Sequence, residues 1–188
     1  MRLWHYKLLP YLPKSQLISQ WRELNSIYKK QDKHILINYI YEYPKHDLFL
    51  YSLYVILELN CRNIKIKNNV NFINYFKDYI NYLDKEAKLL FIDIYKIFKF
   101  IDYICMLIKF YEAILNIVNP FINHQDNRYL IQNFYNLQEK YDRGQKDFTK
   151  ERYVELANYV VNNYIIKEYP CMKELTLEFD ENFKGWRR

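Results

Sequence analysis

The chain has 188 residues, which is enough for one well-filled core or for a core with a helical extension. Its two glycines and five prolines are too few for a fold built from tight β-hairpins, and we predict an all-α fold. The three cysteines are far apart, and no CxxC or Cys/His cluster accompanies them, so the sequence predicts reduced thiols and no metal site.

The positive charge of the chain is concentrated at its beginning. The formal net charge is +6, residues 1–68 contain 11 Lys/Arg and 5 Asp/Glu, and residues 69–188 contain 17 of each. A localised positive field is what a polyanionic partner requires, because neutralising phosphates supplies most of the non-specific affinity for nucleic acid. The alternative is a solvated basic face with no partner.

The first 28 residues predict an irregular lead followed by an amphipathic helix. Residues 1–12 have no helical periodicity, and two prolines favour entry into a helix at residue 14 or 15, with Ser15 as the N-cap. The apolar stripe of this helix is formed by Leu17, Trp21, Leu24 and Tyr28. Arg22 and Glu23 fall on opposite flanks of the stripe, where both could face a groove.

The next segments alternate between basic and apolar character. Residues 29–35 predict a basic turn, and residues 36–41 predict a short apolar and aromatic segment. Asp47 is the predicted cap of a helix over residues 48–60, which is apolar on nearly all sides and should be central and buried. Arg62 and the lysines after it are expected at the rim of the basic surface.

Four further helices are predicted in the rest of the chain. Asn71 is the expected cap of the first, and a long amphipathic helix should run from Asp84 to about Val118. Asp126 should cap a helix that ends near Tyr141 and is closed by Gly144, and Thr149 should open a last helix that reaches about Ile166. Residues 167–188 are a mixed tail.

Two stretches near the N-terminus resemble a known enzyme family. Leu12–Leu24 is similar to the segment of the phage pyrimidine-dimer DNA glycosylases, the endonuclease V type, that carries their catalytic glutamate. Met1–His5 and the prolines that follow resemble a related bacterial branch. The similarity covers residues 1–68 and about 120–145, so residues 69–118 are expected to be a helical insertion in a single compact domain of residues 1–188.

The resemblance implies a helical enzyme that binds damaged duplex DNA and flips a nucleotide out of it. The terminal amine of Met1 would attack the sugar C1′ and form a Schiff base, after which β-elimination nicks the strand. By the same resemblance, Glu23 is the catalytic carboxylate. A terminal amine suits this role because its reference pKa of about 7.7–8.0 leaves part of it unprotonated at neutral pH.

DNA contacts are implied by the resemblance at four other residues, which are Arg2, Arg22, Lys33 and His34. The chain departs from the phage pattern at three places. Arg2 is bulky, so the initiator methionine should be retained; Gln16 replaces a histidine, and Ser26 replaces an arginine. These departures bear on lesion specificity more than on strand nicking.

Two other function classes are compatible with the sequence. One is a non-catalytic helical module that binds nucleic acid, and the other is a helical interaction protein with residues 84–118 as its partner surface. For the glycosylase reading we expect damaged double-stranded DNA as the partner, no cofactor, no metal, no membrane association, a monomer, and a cytoplasmic, nucleoid-associated location.

Overall fold

The computed structural model describes residues 2–30, 34–66, 69–80 and 119–165. Five α-helices lie in these ranges: α1 (Lys14–Lys29), α2 (Lys45–Cys61), α3 (Asn69–Tyr75), α4 (Asn127–Asp142) and α5 (Lys150–Val160). Two 3-10 helices, Tyr6–Tyr11 and Asn38–Tyr41, and a π-helical turn, Val161–Ile165, complete the described elements. No strand occurs in the described ranges, and the predicted all-α fold is confirmed.

The predicted irregular lead contains a short helix. His5 precedes the 3-10 helix at Tyr6–Tyr11, and its Nδ1 accepts a hydrogen bond from the Lys7 amide at 3.2 Å. Helix α1 then begins at Lys14 directly after Pro13, so the prediction of Ser15 as its N-cap is wrong. Ser15 instead uses both its amide and its hydroxyl to donate to the carboxylate of Asp147, which lies just before α5.

Helix α2 is the centre of the core, as its all-round apolar sequence predicted. It begins at Lys45, three residues before the predicted start, and Asp47 is a buried residue of its first turn and not the cap. Helix α3 packs an aromatic cluster against α1 and α2, and it begins at Asn69, so Asn71 is also not a cap. The cluster consists of Tyr28, Phe49, Phe72, Tyr75 and Phe76.

The helix ends of the second half follow the predicted local signals. The Asp126 side chain accepts from the Tyr129 amide at 2.8 Å, and the Thr149 hydroxyl accepts from the Arg152 amide at 3.4 Å, so both predicted N-caps are confirmed. Gly144 follows α4 with φ +74°, a conformation that suits glycine.

Helix α5 passes into the π-helical turn after Val160, before the predicted end at Ile166. The predicted helix over residues 84–118 and the tail over 167–188 lie outside the described residues. Within the described ranges, none of the helices combines the length and the apolar character that crossing a bilayer requires.

Candidate active site at the N-terminal strip

Residues 2–6, here called the N-terminal strip, belong to no regular element until the 3-10 helix begins at Tyr6, and side chains from other helices bind their backbone. The Arg2 amide donates to Glu23 Oε2 at 3.4 Å, and the Trp4 amide donates to Gln20 Oε1 at 2.8 Å. The Tyr51 hydroxyl of α2 donates to the Trp4 carbonyl at 2.7 Å. Helices α1 and α2 therefore hold part of the backbone of the strip.

The segment around α4 binds other backbone groups of the strip. The Tyr129 hydroxyl donates to the Leu3 carbonyl at 2.6 Å, and the His5 amide donates to Asn133 Oδ1 at 3.4 Å. The side-chain oxygen of Gln125 accepts a hydrogen bond from the Tyr6 amide at 2.9 Å. Because buried backbone groups need partners when no ladder or helix supplies them, these side chains determine where the start of the chain can lie.

Glu23 is the carboxylate nearest to the start of the described chain. Its side chain is half-buried, and Oε2 accepts the Arg2 amide and also the Gln20 carboxamide, the latter at 3.3 Å. Burial raises the pKa of Glu23, although the Arg2 amide and the charges of the terminal amine, Arg2 and Lys140 act in the opposite direction. A carboxyl group in this setting exchanges its proton closer to neutral pH than an exposed glutamate does.

The structure brings two of the predicted site residues, Arg2 and Glu23, into contact through the Arg2 amide. The Arg2 guanidinium lies over the Trp4 ring, 5.6 Å from its centroid. Lys140 of α4 adds a second cation close enough to lower the pKa of Glu23, and no sequence signal pointed to it because it lies 117 positions further along the chain.

The other predicted site residues are more peripheral or are not described. Arg22 is exposed on α1. His34 is exposed in the turn after α1, and its Nδ1 accepts the Leu36 amide at 3.2 Å. Met1 and Lys33 lie outside the described residues.

Arg62 does not belong to a basic rim, and this prediction is wrong. Its guanidinium donates to the carbonyls of Leu12 at 2.5 Å and Pro10 at 2.6 Å, and it forms an ion pair with Glu58 at 2.6 Å. Arg62 therefore closes the end of the first 3-10 helix. Arg152 of α5 donates to the same two carbonyls, to Pro10 at 3.1 Å and to Leu12 at 3.3 Å.

Among the described residues, no group of three or more His, Cys, Asp and Glu side chains is arranged to bind a metal ion. Sequence reasoning also missed Gln20, Tyr51 and Tyr129, three of the polar side chains that bind the backbone of the strip. Each of them lies within an otherwise ordinary helical segment, and only the tertiary contacts reveal its part in the site.

The comparison with known families agrees with the resemblance that the sequence carries. A family model described as pyrimidine dimer DNA glycosylase matches residues 1–74, a range that contains the strip, α1, α2 and α3 except its last residue. This match confirms the predicted resemblance and supports an enzyme of the DNA glycosylase class with DNA as its substrate. No curated protein and no solved structure matches the chain.

Proposed function

We propose that this protein is a DNA glycosylase with AP-lyase activity on damaged duplex DNA, in which the terminal amine of Met1 is the nucleophile and Glu23 transfers protons. The observation that carries the proposal is the hydrogen bond from the Arg2 amide to Glu23 Oε2 at 3.4 Å. It anchors the first peptide unit of the chain against a half-buried carboxylate.

Covalent geometry limits how far the amine can be from that carboxylate. The bonds that join the Arg2 nitrogen to the terminal amine have lengths of about 1.33, 1.52 and 1.46 Å. With the 3.4 Å hydrogen bond, the amine stays within about 8 Å of Glu23 Oε2 in every conformation of the first residue. A sugar carbon bound between the two groups is therefore within reach of both.

The proposed reaction follows from these two groups. The unprotonated amine attacks C1′ and forms a C–N bond, while the bond from C1′ to the damaged base breaks and the base leaves with the electron pair and a proton. The attacking nitrogen loses one proton, the C1′–O4′ bond breaks while O4′ takes up a proton, and the nitrogen lone pair forms the C1′=N bond of a cationic imine. The carboxylate of Glu23 stabilises this cation. The imine then loses a proton from C2′, and the 3′ phosphate leaves by β-elimination.

The charges near Glu23 suit a phosphate backbone next to the reacting sugar. Burial raises the pKa of Glu23, and the charges of Arg2 in the strip and Lys140 on α4 act against this rise. Arg22 is exposed on the adjacent position of α1. In this proposal Arg2, Arg22, Lys33 and His34 hold phosphates or the distorted duplex, as the resemblance implies. Pyrimidine dimers are the proposed lesion by the same resemblance.

Borohydride trapping tests the proposal directly. Reduction of a mixture with duplex DNA that contains a pyrimidine dimer should give a covalent adduct, and peptide mapping should locate it at the amine of Met1. Acetylation of the terminal amine should abolish both the adduct and the nicking while the affinity for DNA is retained. An adduct on a lysine side chain, or unchanged nicking by the acetylated protein, would show that the amine is not the nucleophile.

The role of Glu23 has its own test. Glu23→Gln should lose nicking and retain DNA binding, because the amide keeps the size of the side chain but cannot accept a proton. Glu139→Gln is the matched control, since Glu139 is an exposed partner of Arg143 on α4. Salt-dependent DNA binding with no adduct in any of these proteins would favour the non-catalytic nucleic-acid-binding module instead.

A further inference from the structure

We infer that Gln20 is a positioning residue for the reaction proposed above, because its buried carboxamide links the strip, α2 and Glu23 through one side chain. The inference rests on the proposed function, since it assigns Gln20 the task of holding the Glu23 carboxylate in register with the first peptide units. It concerns a residue outside the set that the resemblance implied.

The contacts of Gln20 use both ends of its carboxamide. The side chain is fully buried, at 0% exposure. Its Oε1 accepts from the Trp4 amide at 2.8 Å and from the Tyr51 hydroxyl at 3.1 Å, while its Nε2 donates to Glu23 Oε2 at 3.3 Å. The contacts select this orientation of the amide, because the reverse would direct an N–H at the Trp4 amide and a carbonyl at the Glu23 carboxylate.

Tyr51 of α2 stabilises this arrangement of the Gln20 carboxamide through its hydroxyl. Its hydroxyl is buried and is shared between the Trp4 carbonyl at 2.7 Å and Gln20 Oε1 at 3.1 Å. Burial raises the pKa of Tyr51 far above its usual range, so the hydroxyl keeps its hydrogen and remains a donor. The carboxamide therefore has a fixed support on α2 and a fixed partner in the strip.

The bond to Glu23 distinguishes Gln20 from a glutamine that serves packing alone. The Trp4 amide and the Tyr51 hydroxyl need only its oxygen as an acceptor. The nitrogen is directed at the one carboxylate that also accepts the Arg2 amide. A donor at this position favours the ionised form of the carboxyl, so Gln20 influences the proton transfer as well as the geometry of Glu23.

Replacing the donor by an acceptor gives the sharpest test. In Gln20→Glu one oxygen can still accept from Trp4 and Tyr51, but the other would lie about where Nε2 lies, 3.3 Å from Glu23 Oε2. Two carboxyl groups this close share a proton, and the pH at which single-turnover nicking is half-maximal should rise by about one unit or more. The affinity for duplex DNA should stay within twofold of the parent.

Gln20→Met is the second variant, because it keeps the side-chain length and removes the donor without adding a charge. The pH at which its single-turnover nicking is half-maximal should also rise, but by less than in Gln20→Glu. Its nicking rate at pH 7 should fall at least tenfold. Gln138→Glu is the control. Gln138 is half-buried on α4, and it lies on the opposite side of that helix from Lys140 because the two residues are two positions apart. It should keep the parent's pH profile.

The outcomes separate this inference from the proposed function. Nicking by Glu23→Gln at the parent's rate would reject the proposed function. An inactive Glu23→Gln together with a Gln20→Glu or Gln20→Met variant that folds and has the parent's pH profile would reject only the inference about Gln20. If Gln20→Glu does not fold, the midpoint and rate of Gln20→Met decide the question.

Discussion

His5 is a buried titratable group whose protonation should oppose folding. Its side chain is 2% exposed, and both ring nitrogens have partners that suit the neutral form. Nε2 lies 2.9 Å from the Gln125 carbonyl and donates to it, while Nδ1 accepts the Lys7 amide at 3.2 Å. A protonated ring would direct an N–H at the Lys7 amide and lose that bond. Burial is the main cause that lowers the pKa of His5 to about 4.

The sign and size of the effect follow from this pKa. The unfolded chain has a histidine pKa of about 6.5, so it binds a proton at a pH where folded His5 does not. The stabilisation is therefore fully present above pH 6.5 and decreases as the pH falls toward 4. Each unit corresponds to about 1.4 kcal/mol, so a change from pH 7 to 4.5 should remove about 2–3 kcal/mol through His5.

Urea denaturation of the parent and of His5→Asn at pH 7 and pH 4.5 measures this contribution. Asparagine is a good N-cap and can still accept the Lys7 amide, but it does not titrate. The variant should be less stable than the parent at pH 7, and the difference should shrink by about 2–3 kcal/mol at pH 4.5. If the difference in free energy of unfolding between the parent and His5→Asn is the same at both pH values, His5 is not a buried neutral imidazole.

Four other substitutions test individual contacts. Arg62→Met should lower the free energy of unfolding by about 2–3 kcal/mol in urea, because three charge-assisted hydrogen bonds to carbonyls are lost and Glu58 loses its partner. Gly144→Ala should cost about 1 kcal/mol in the same assay, from backbone strain at φ +74° and not from a clash. Thr149→Ala should cost about 1 kcal/mol through the lost N-cap. Arg22→Ala should reduce by about one the slope of log Kd against log salt for duplex DNA, and an unchanged slope would remove Arg22 from the proposed phosphate contacts.

The parts of the fold that the sequence predicted are those with local causes. Asp126 and Thr149 cap helices through amides three residues away, and Gly144 closes α4 through its own conformation. Ser15 has the same local signal, but Asp147, which is 132 positions away, binds its amide and hydroxyl. A cap motif thus predicts correctly only when no distant partner competes for the same side chain.

The candidate site also contains residues that the sequence singled out and residues that only the tertiary contacts reveal. Arg2 and Glu23 were singled out through the resemblance, and the structure brings the Arg2 amide to Glu23 Oε2. The roles of Tyr51 and Tyr129 could not be predicted. A tyrosine in a helical stripe has the same sequence pattern whether it only packs or also donates to a backbone carbonyl. Arg62 was misassigned because a count of charges contains no information on which guanidinium groups already bind the protein's own carbonyls.

The strip also shows that the family-matched range does not supply the site alone. Residues 1–74 contain Gln20, Glu23 and Tyr51, but the Leu3 carbonyl, the His5 amide and the Tyr6 amide are bound by side chains from residues 125–133. Chain ends usually fray one residue at a time, because each successive group has few partners. Here neighbouring backbone groups are bound by side chains from different helices, so the Arg2–Glu23 contact and the α4 contacts should be lost together. The geometry of the proposed nucleophile therefore depends on packing between two parts of the chain that are more than a hundred residues apart.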